Sequence, residues 1–285
     1  MMEPYFKMKI GNNDEFNLCD RLPGLRYLGP GTESSSPQFT NNYQDVAGRD
    51  GSPFVSQTLA KRTFNEKFSL HFATWNEFLL ARSEIYSIFG TRQQVRVRTD
   101  SSPTKVYFGY VTPFDIAPFK DGGYDANFTV PFDIPKGYRY SLYRSDTPYT
   151  AEQGGWSFGM NLPDEPTDLN YHFTSNSFKV YNASDIKVDP YYQKHDLKMI
   201  IKFSGNSLEI NNKTTNTSWK YNESSDGNHT IIWDGQSLTT TLNGDQVNGK
   251  TDFGYINLDP KWNDIECTGA SSVDITFSFP FIYLQ

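Results

Sequence analysis

Cysteine is almost missing from this chain. Its two cysteines, Cys19 and Cys267, lie far apart with no metal-type spacing, so neither a disulfide framework nor a thiolate metal site is expected, and both read as free thiols. Long apolar runs are missing too. No segment approaches the ~20 consecutive apolar residues of a membrane helix, and Met1-Met2-Glu3-Pro4-Tyr5-Phe6-Lys7 has neither an apolar core nor a cleavage site. No membrane insertion and no secretory signal are therefore expected. The six N-x-S/T sequons, beginning at Asn127, Asn182, Asn212, Asn216, Asn222 and Asn228, then read as chance products of a chain rich in Asn, Ser and Thr. Basic charge is in deficit: 26 Lys and Arg against 33 Asp and Glu leave a net charge of −7. That argues against a nucleic-acid-binding surface, which needs clustered cations. It leaves open a negatively lined passage through which DNA slides without sticking.

Catalytic constellations are also missing. The four histidines are His71, His172, His195 and His229, and none accompanies a Gly-x-Ser-x-Gly elbow or a catalytic cysteine motif. His71 falls on the outward parity of a strand and the others in polar, loop-like stretches, so each reads as a surface histidine. Paired carboxylates weigh more, because a glycosidase needs two of them ~5–10 Å apart across a cleft. Asp264 with Glu266 has the i, i+2 spacing that shares a strand face, while Asp185 with Asp189 and Asp164 with Glu165 are looser. All three pairs lie in turn-like settings and read as solvated. Ser224-Ser225-Asp226-Gly227-Asn228 has one carboxylate, too thin a set for a calcium loop. Gly122-Gly123 and Gly154-Gly155 are followed by neither Lys-Ser nor a helix, so neither is a phosphate loop. Trp156, Trp219, Trp233 and Trp262 offer rings on which a sugar can stack, with core packing as the competing use. No catalytic residue, cofactor site or metal site is assigned, and the chain is not expected to be an enzyme.

What the chain does have is aromatic residues and alternation. Aromatics make up 16%, with 22 Phe and 18 Tyr, a composition that argues for a folded, β-rich protein. The clearest unit runs from Val46 to Phe89. After Gly48-Arg49-Asp50-Gly51, read as shaping a turn, Phe64, Phe68, Leu70 and Phe72 share one parity against Lys67, Ser69 and His71, with Glu66 as the exception on the apolar side. Thr74-Trp75-Asn76-Glu77 is a capping box at the head of a helical run, Phe78, Ala81, Ile85, Ile88 and Phe89, and Gly90 is expected to close it in a left-handed conformation. The helix is expected to pack on a sheet rather than to read DNA or bind a partner.

Texture divides the chain into three segments. Residues 1–144 read as an N-terminal, β-sandwich-like domain holding that one packed helix. Its later strands run through Val95 and Val97, Lys105 to Val111 and Phe128 to Ile134, where Pro131 implies an edge or bulged position. Within it, Gly29 to Pro53 is rich in Gly, Ser, Pro and Asn and reads as an extended loop or arm, unusual in a compact domain unless it contacts something. Residues 145–173 read as a linker or irregular cover, with a short strand through Trp156, Phe158 and Met160. Residues 174–285 read as an antiparallel β-sandwich. There Leu197, Met199, Ile201 and Phe203 alternate, Ile231-Ile232-Trp233 turns through Asp234-Gly235 toward Leu238, and Asn243-Gly244 offers a second hairpin. Ile275, Phe277, Phe279, Phe281 and Tyr283 then share one parity. The fold class is mainly β.

The order of these parts resembles the distal tail proteins of siphophages infecting Gram-positive bacteria. The carrying residues are the glycine loop, the aromatic strand and the helix, then Asp100-Ser101-Ser102-Pro103-Thr104-Lys105-Val106-Tyr107 and Phe128-Thr129-Val130-Pro131-Phe132. The later block is similar to that family's C-terminal, galectin-like domain through Leu208 to Thr215, Asp234-Gly235, Asn243-Gly244, Tyr255 to Leu258, Trp262-Asn263 and Asp274 to Phe279. The resemblance covers most of the chain; Asn41 to Ala47 and Ser145 to Thr174 match least. It implies a structural hub at the tip of the virion tail, made in the host cytoplasm. Copies form a homo-hexameric ring through the first domain and close the tail tube of major tail protein, joining it to a tail-associated or tail-fibre protein. The galectin-like domains point outward, where receptor-binding or other baseplate proteins dock. On that reading the Gly29–Pro53 arm clasps a neighbour. The alternative is a carbohydrate-binding adsorption module for host cell-wall polysaccharide, carried by Trp219 or Trp233; a wall hydrolase would rest on Asp264 and Glu266.

Overall fold

Ten residues from Arg62 to His71 alternate without a break between inward and outward positions, and this strand organises the first part of the molecule. The computed structural model describes residues 4–30, 36–147, 154–157, 159–163 and 169–285. The chain forms two compact units, Met1–Arg139 with Leu284–Gln285, and Tyr140–Tyr283.

The first unit runs β1 (Phe6–Ile10), β2 (Phe16–Asn17), α1 (Leu18–Arg21), β3 (Leu25–Pro30), β4 (Phe39–Tyr43), β5 (Phe54–Leu59), β6 (Arg62–His71), α2 (Trp75–Phe89), β7 (Val95–Thr99), β8 (Lys105–Val111) and β9 (Asp125–Ile134). Its main sheet is antiparallel in the order β2-β1-β7-β8-β9-β6-β3. β6 lies along β9 in one uninterrupted register from Arg62↔Ile134 to His71↔Asp125. Because side chains alternate, that register sends Phe64, Phe68 and Leu70 to one side together with Phe128, Val130 and Phe132. Phe6, Phe68, Phe89 and Phe132 then meet at ring-centroid distances of 5.1 to 6.4 Å, mostly edge to face or tilted, as ring quadrupoles prefer.

The helix forms where its sequence signals place it. Thr74 Oγ1 accepts from Glu77 N at 3.2 Å, and Glu77 Oε2 reaches back to accept from Ala73 N at 2.8 Å, so one free donor of the first turn and the N–H just before the cap are both satisfied. Phe78, Ile85 and Phe89 are buried. Gly90 corrects the expectation of a left-handed cap. It sits at φ −70° and donates to Tyr86 O, continuing the helical pattern. Glycine is needed there for space: an added Cβ would lie 2.6 Å from Tyr86 O. Pro131 is corrected as well, since β9 is an interior strand. Pro131 O accepts from Thr112 N at 3.0 Å, which turns the residue's backbone toward the end of β8, where no ladder bond needs its missing N–H.

Glu66 is the exception that the structure explains. It is 2% exposed, and Tyr27 Oη (2.5 Å) and Tyr107 Oη (2.8 Å) both donate to its carboxylate. One acid thereby joins β3, β6 and β8. Burial pushes the carboxyl above the usual glutamate range, outweighing the two phenols and Arg139, which pull it down. Glu15 shows the opposite balance. Burial raises it, but Arg98 holds it through two nitrogens at 2.5 to 3.0 Å and Arg96 adds a contact at 2.9 Å, so its carboxyl lies below the usual range.

From Tyr140 on, the second unit holds all but the first residue of β10 (Arg139–Arg144), then β11 (His172–Phe173), β12 (Ser177–Asn182), β13 (Lys198–Asn212), β14 (Thr217–Tyr221), β15 (Ser225–Asp226), β16 (Ile231–Asp234), β17 (Thr239–Leu242), β18 (Asp245–Gln246), β19 (Lys261–Ser278) and β20 (Pro280–Tyr283). Two long strands, β13 and β19, pair with each other from end to end and shift register between Ser204 and Glu209. Gly205 (φ +152°) and Gly269 (φ +84°) stand at that bend, where an added Cβ would lie 2.8 Å from Ala270 Cα and 2.7 Å from Ser207 Oγ respectively. Beyond the bend β13 pairs with β14 and β19 with β12; before it β13 pairs with β16. The two strands thus serve both layers of an antiparallel sandwich. The predicted hairpins are present: β16–β17 turns through Asp234-Gly235, and β17–β18 turns at Asn243 (φ +49°) and Gly244 (φ +101°). No strand runs through Trp156 and Met160 among the described residues, and Phe158 lies outside them; Met160 is buried, and its carbonyl accepts from Tyr283 Oη.

Because Glu66 has a raised pKa when folded, its contribution to stability is complete below the ordinary glutamate pKa and is lost as pH rises through the raised value. Urea unfolding between about pH 4 and about pH 8 is expected to show wild type losing stability relative to Glu66→Gln as pH rises. Parallel pH profiles would contradict this. Glu66→Ala, which strands two buried phenols, is expected to cost about 2–4 kcal/mol.

Candidate functional site

Between Gln38 and Ala60 the chain forms a ribbon of its own. Among the described residues β4 and β5 pair only with each other, from Phe39↔Leu59 to Tyr43↔Phe54, with one register shift between Asn42 and Tyr43. Ala60 N donates to Gln38 O at 2.7 Å at the base, and Gln44 N to Pro53 O at 3.0 Å at the tip. The tip loop contains Gly48 and Gly51 at φ +79° and +75°, with Arg49 N donating to Val46 O, so the double-glycine loop does shape a turn. The stretch read as an extended loop or arm is therefore a hairpin over its described part. The Asn, Ser and Gln of its strands hid the two-residue period of Phe39, Tyr43 and Phe54.

This ribbon is physically incomplete. Isolated two-stranded hairpins are marginal in water. Every residue of β4 is exposed, and so are most of β5. One face carries Phe39 opposite Leu59, then Gln57 donating to Asn41 at 2.8 Å, then Tyr43 edge-on to Phe54 at 6.0 Å. The other carries Thr40 opposite Thr58, and Asn42 bonded to Ser56 at 3.1 Å. Neither strand contains a charged residue. Free sheet edges are normally blunted by lysine, proline or a covering element. Here they are open. α2 also exposes Leu79, Leu80 and Trp75, whose ring packs on that of the buried Phe78 with centroids 5.0 Å apart.

The residues weighed for chemistry are placed in other work. Asp264 and Glu266 lie on the outward side of β19, not in a turn, and each is held by a lysine: Lys179 at 3.4 Å and Lys213 at 2.7 Å. Asp185 accepts from Asn161 Nδ2 at 2.7 Å, while Asp189 accepts from two backbone N–H groups of its own loop. Asp164 and Glu165 lie outside the described residues. Asp226 accepts from Asn228 N and Nδ2 at 3.0 Å, a self-contained turn. No group of metal-ligating side chains occurs among the described residues. Gly122 takes φ +71° in a turn, and Gly155 packs where a Cβ would strike the Tyr143 ring.

His71 and His172 are exposed and pair with Asp125 (2.8 Å) and Asp274 (2.9 Å), and His229 contacts Asn243. His195 corrects the surface reading: it is buried, and its Nδ1 accepts from Asp189 N at 3.1 Å. Trp219 and Trp233 are core residues, which removes them as sugar platforms, while Trp262 is 47% exposed against Tyr181. Two sequon asparagines, Asn182 and Asn212, are buried and donate to Leu258 O (3.0 Å) and Asn257 O (2.7 Å). Cys19 and Cys267 are both free, and burial pushes the Cys267 thiol up to about 12.

Comparison with known proteins adds the family context. Residues 13–134 match the family model described as a phage tail protein RIFT-related domain. No curated protein matches the chain. Among solved structures, the Dit protein (gp 19.1) of phage SPP1, described as a paradigm of the hub adsorption apparatus in Gram-positive infecting phages, is 14% identical. It superposes with a TM-score of 0.65 over 97% of this chain and 99% of that one. A chain of the phage P2 baseplate in its activated conformation with Ca is 14% identical, with a TM-score of 0.41 over 98% of each chain. At such identity the SPP1 likeness is one of fold.

The tryptophan placements are directly testable. Trp219→Ala is expected to lose about 3–5 kcal/mol of stability, and Trp262→Ala less than about 1 kcal/mol, by urea denaturation. Equal losses would contradict the placements.

Proposed function

With a first unit matched by a phage tail RIFT-related domain and a whole chain in the fold of a siphophage distal tail protein, we propose that this protein is a structural subunit of the phage tail baseplate. Copies assemble into a ring at the tail tip, each holding its neighbour with the β4–β5 arm. The observation that carries this reading is the arm itself, a ribbon whose two strands carry no charge, expose Phe39, Tyr43, Phe54 and Val55 and pair with no third strand among the described residues.

The physical logic is that of a heterologous contact. An arm that docks on a different surface of the next copy generates a closed ring when the rotation between copies closes. Backbone groups on the open edges gain partners, and Phe39, Tyr43, Phe54 and Val55 leave water. The number six, and the joining of tail tube to tail-associated and receptor-binding proteins, follow from the distal-tail resemblance. An enzymatic role gains nothing from the geometry, since the acid pair once considered for it is tied up by Lys179 and Lys213.

The combined variant Phe54→Asp and Val55→Asp is expected to shift the protein from ring to monomer in sedimentation velocity runs. Its melting temperature is expected to stay within about 2 °C of wild type, because both residues are exposed surface in the monomer. Wild-type assembly by this variant would overturn the role of the arm.

A further inference from the structure

The second unit exposes an aromatic cluster of a different kind. Tyr191 and Tyr255 stack with ring centroids 4.6 Å apart and planes 14° from parallel. Tyr192 stands at 85° to both, 4.8 and 6.4 Å away, and is 70% exposed. These rings are not held by burial in a core. They are held by their loop. His195 N donates to Asp189 O and Asp189 N donates to His195 Nδ1, both at 3.1 Å, so a buried imidazole closes the loop base. Asp189 Oδ1 then accepts from Tyr191 N (3.0 Å) and Tyr192 N (2.9 Å). On the other side, Asp252 Oδ1 accepts from Gly254 N at 2.8 Å and Lys220 N at 2.9 Å. Phe253, between them, is exposed in a left-handed conformation at φ +57°, which a bulky side chain adopts only when its surroundings enforce it.

Composition points to the ligand. The loop segments Asp189 to His195 and Asp252 to Tyr255 contain four aromatic rings, Asp189, Gln193, Lys194 and Asp252, and no Val, Leu, Ile or Met. Lys194 Nζ lies 5.8 Å from the Tyr191 ring centroid. A protein interface of ordinary size needs roughly 800 Å² per partner and an apolar centre. A rigid patch of phenols rimmed by polar and charged groups suits a small ligand with one C–H-rich face and many hydroxyls. We propose that Tyr191, Tyr192 and Tyr255 form a saccharide-binding platform on which a pyranose ring stacks while the phenol hydroxyls and Lys194 bond its oxygens. This site is separate from the arm, and ring assembly does not depend on it.

The test presents the full chain to an array of bacterial surface polysaccharides and of hexose, N-acetylhexosamine and deoxyhexose oligosaccharides. The best binder is then titrated by calorimetry. Saturable binding is expected, weakened about tenfold by Tyr192→Ala and less by Tyr192→Phe, which keeps the ring. Tyr255→Ala is expected to weaken it through loss of the stack, and all three variants are expected to assemble as wild type does. No binder on the array would overturn the proposal, and so would equal affinity in wild type and Tyr192→Ala. Loss of a baseplate-protein contact in Tyr192→Ala with saccharide binding unchanged would assign the cluster to protein docking and overturn it as well.

Discussion

The continuous register of β6 on β9 is the constraint on which the first unit depends. A slip of one residue would turn Phe64, Phe68 and Leu70 out to solvent and bring Lys67 and Ser69 in. The same parity delivers Glu66 to the two phenols that reach it from β3 and β8. A buried carboxyl with two donors is costly to misplace, because every alternative register strands polar groups away from water. The acid is therefore a register pin as well as a tie between strands. β6 also fixes where the chain enters α2, whose inward residues complete the cluster around Phe68 and Phe89.

Set against this well-satisfied interior, two surfaces remain unsatisfied by their own fold. The arm has exposed aromatic side chains and, among the described residues, outer strand edges paired with no further strand, and its two strands carry no charge to discourage pairing. The tyrosine cluster is the reverse case, with Tyr191 N and Tyr192 N held by Asp189 and Tyr192 presented to solvent. The first is a surface that would gain by ordering on another copy. The second is preorganised and needs no ordering on binding. That difference underlies the two proposals, assembly for the arm and saccharide capture for the tyrosine cluster.

Much of this was legible in the residues. The capping box at Thr74 and Glu77, the alternation of β6, the Asn243-Gly244 hairpin and the terminal run from Ile275 to Tyr283 all act through local backbone geometry, which local sequence encodes. What was not legible depended on the partner each residue meets once the chain is folded. Glu66 looked like a break in a pattern because Tyr27 and Tyr107 are far away in sequence. His195 looked exposed because its partner is the backbone of Asp189 across a loop. Pro131 pointed to an edge strand, yet the interior strand tolerates it where β8 ends. Gly90 fitted a left-handed cap by type, while the carbonyl of Tyr86 was the real reason for glycine. The arm read as a loop because polar residues fill a ribbon that has no core of its own to face.

Assembly through the arm requires that it order on a neighbouring copy. Hydrogen–deuterium exchange of the amides in β4 and β5 tests it most directly, comparing dilute monomer with assembled protein. Exchange is expected to be fast in the monomer, as for any exposed ribbon, and the same amides are expected to be strongly protected after assembly. Equally fast exchange in both states would contradict it.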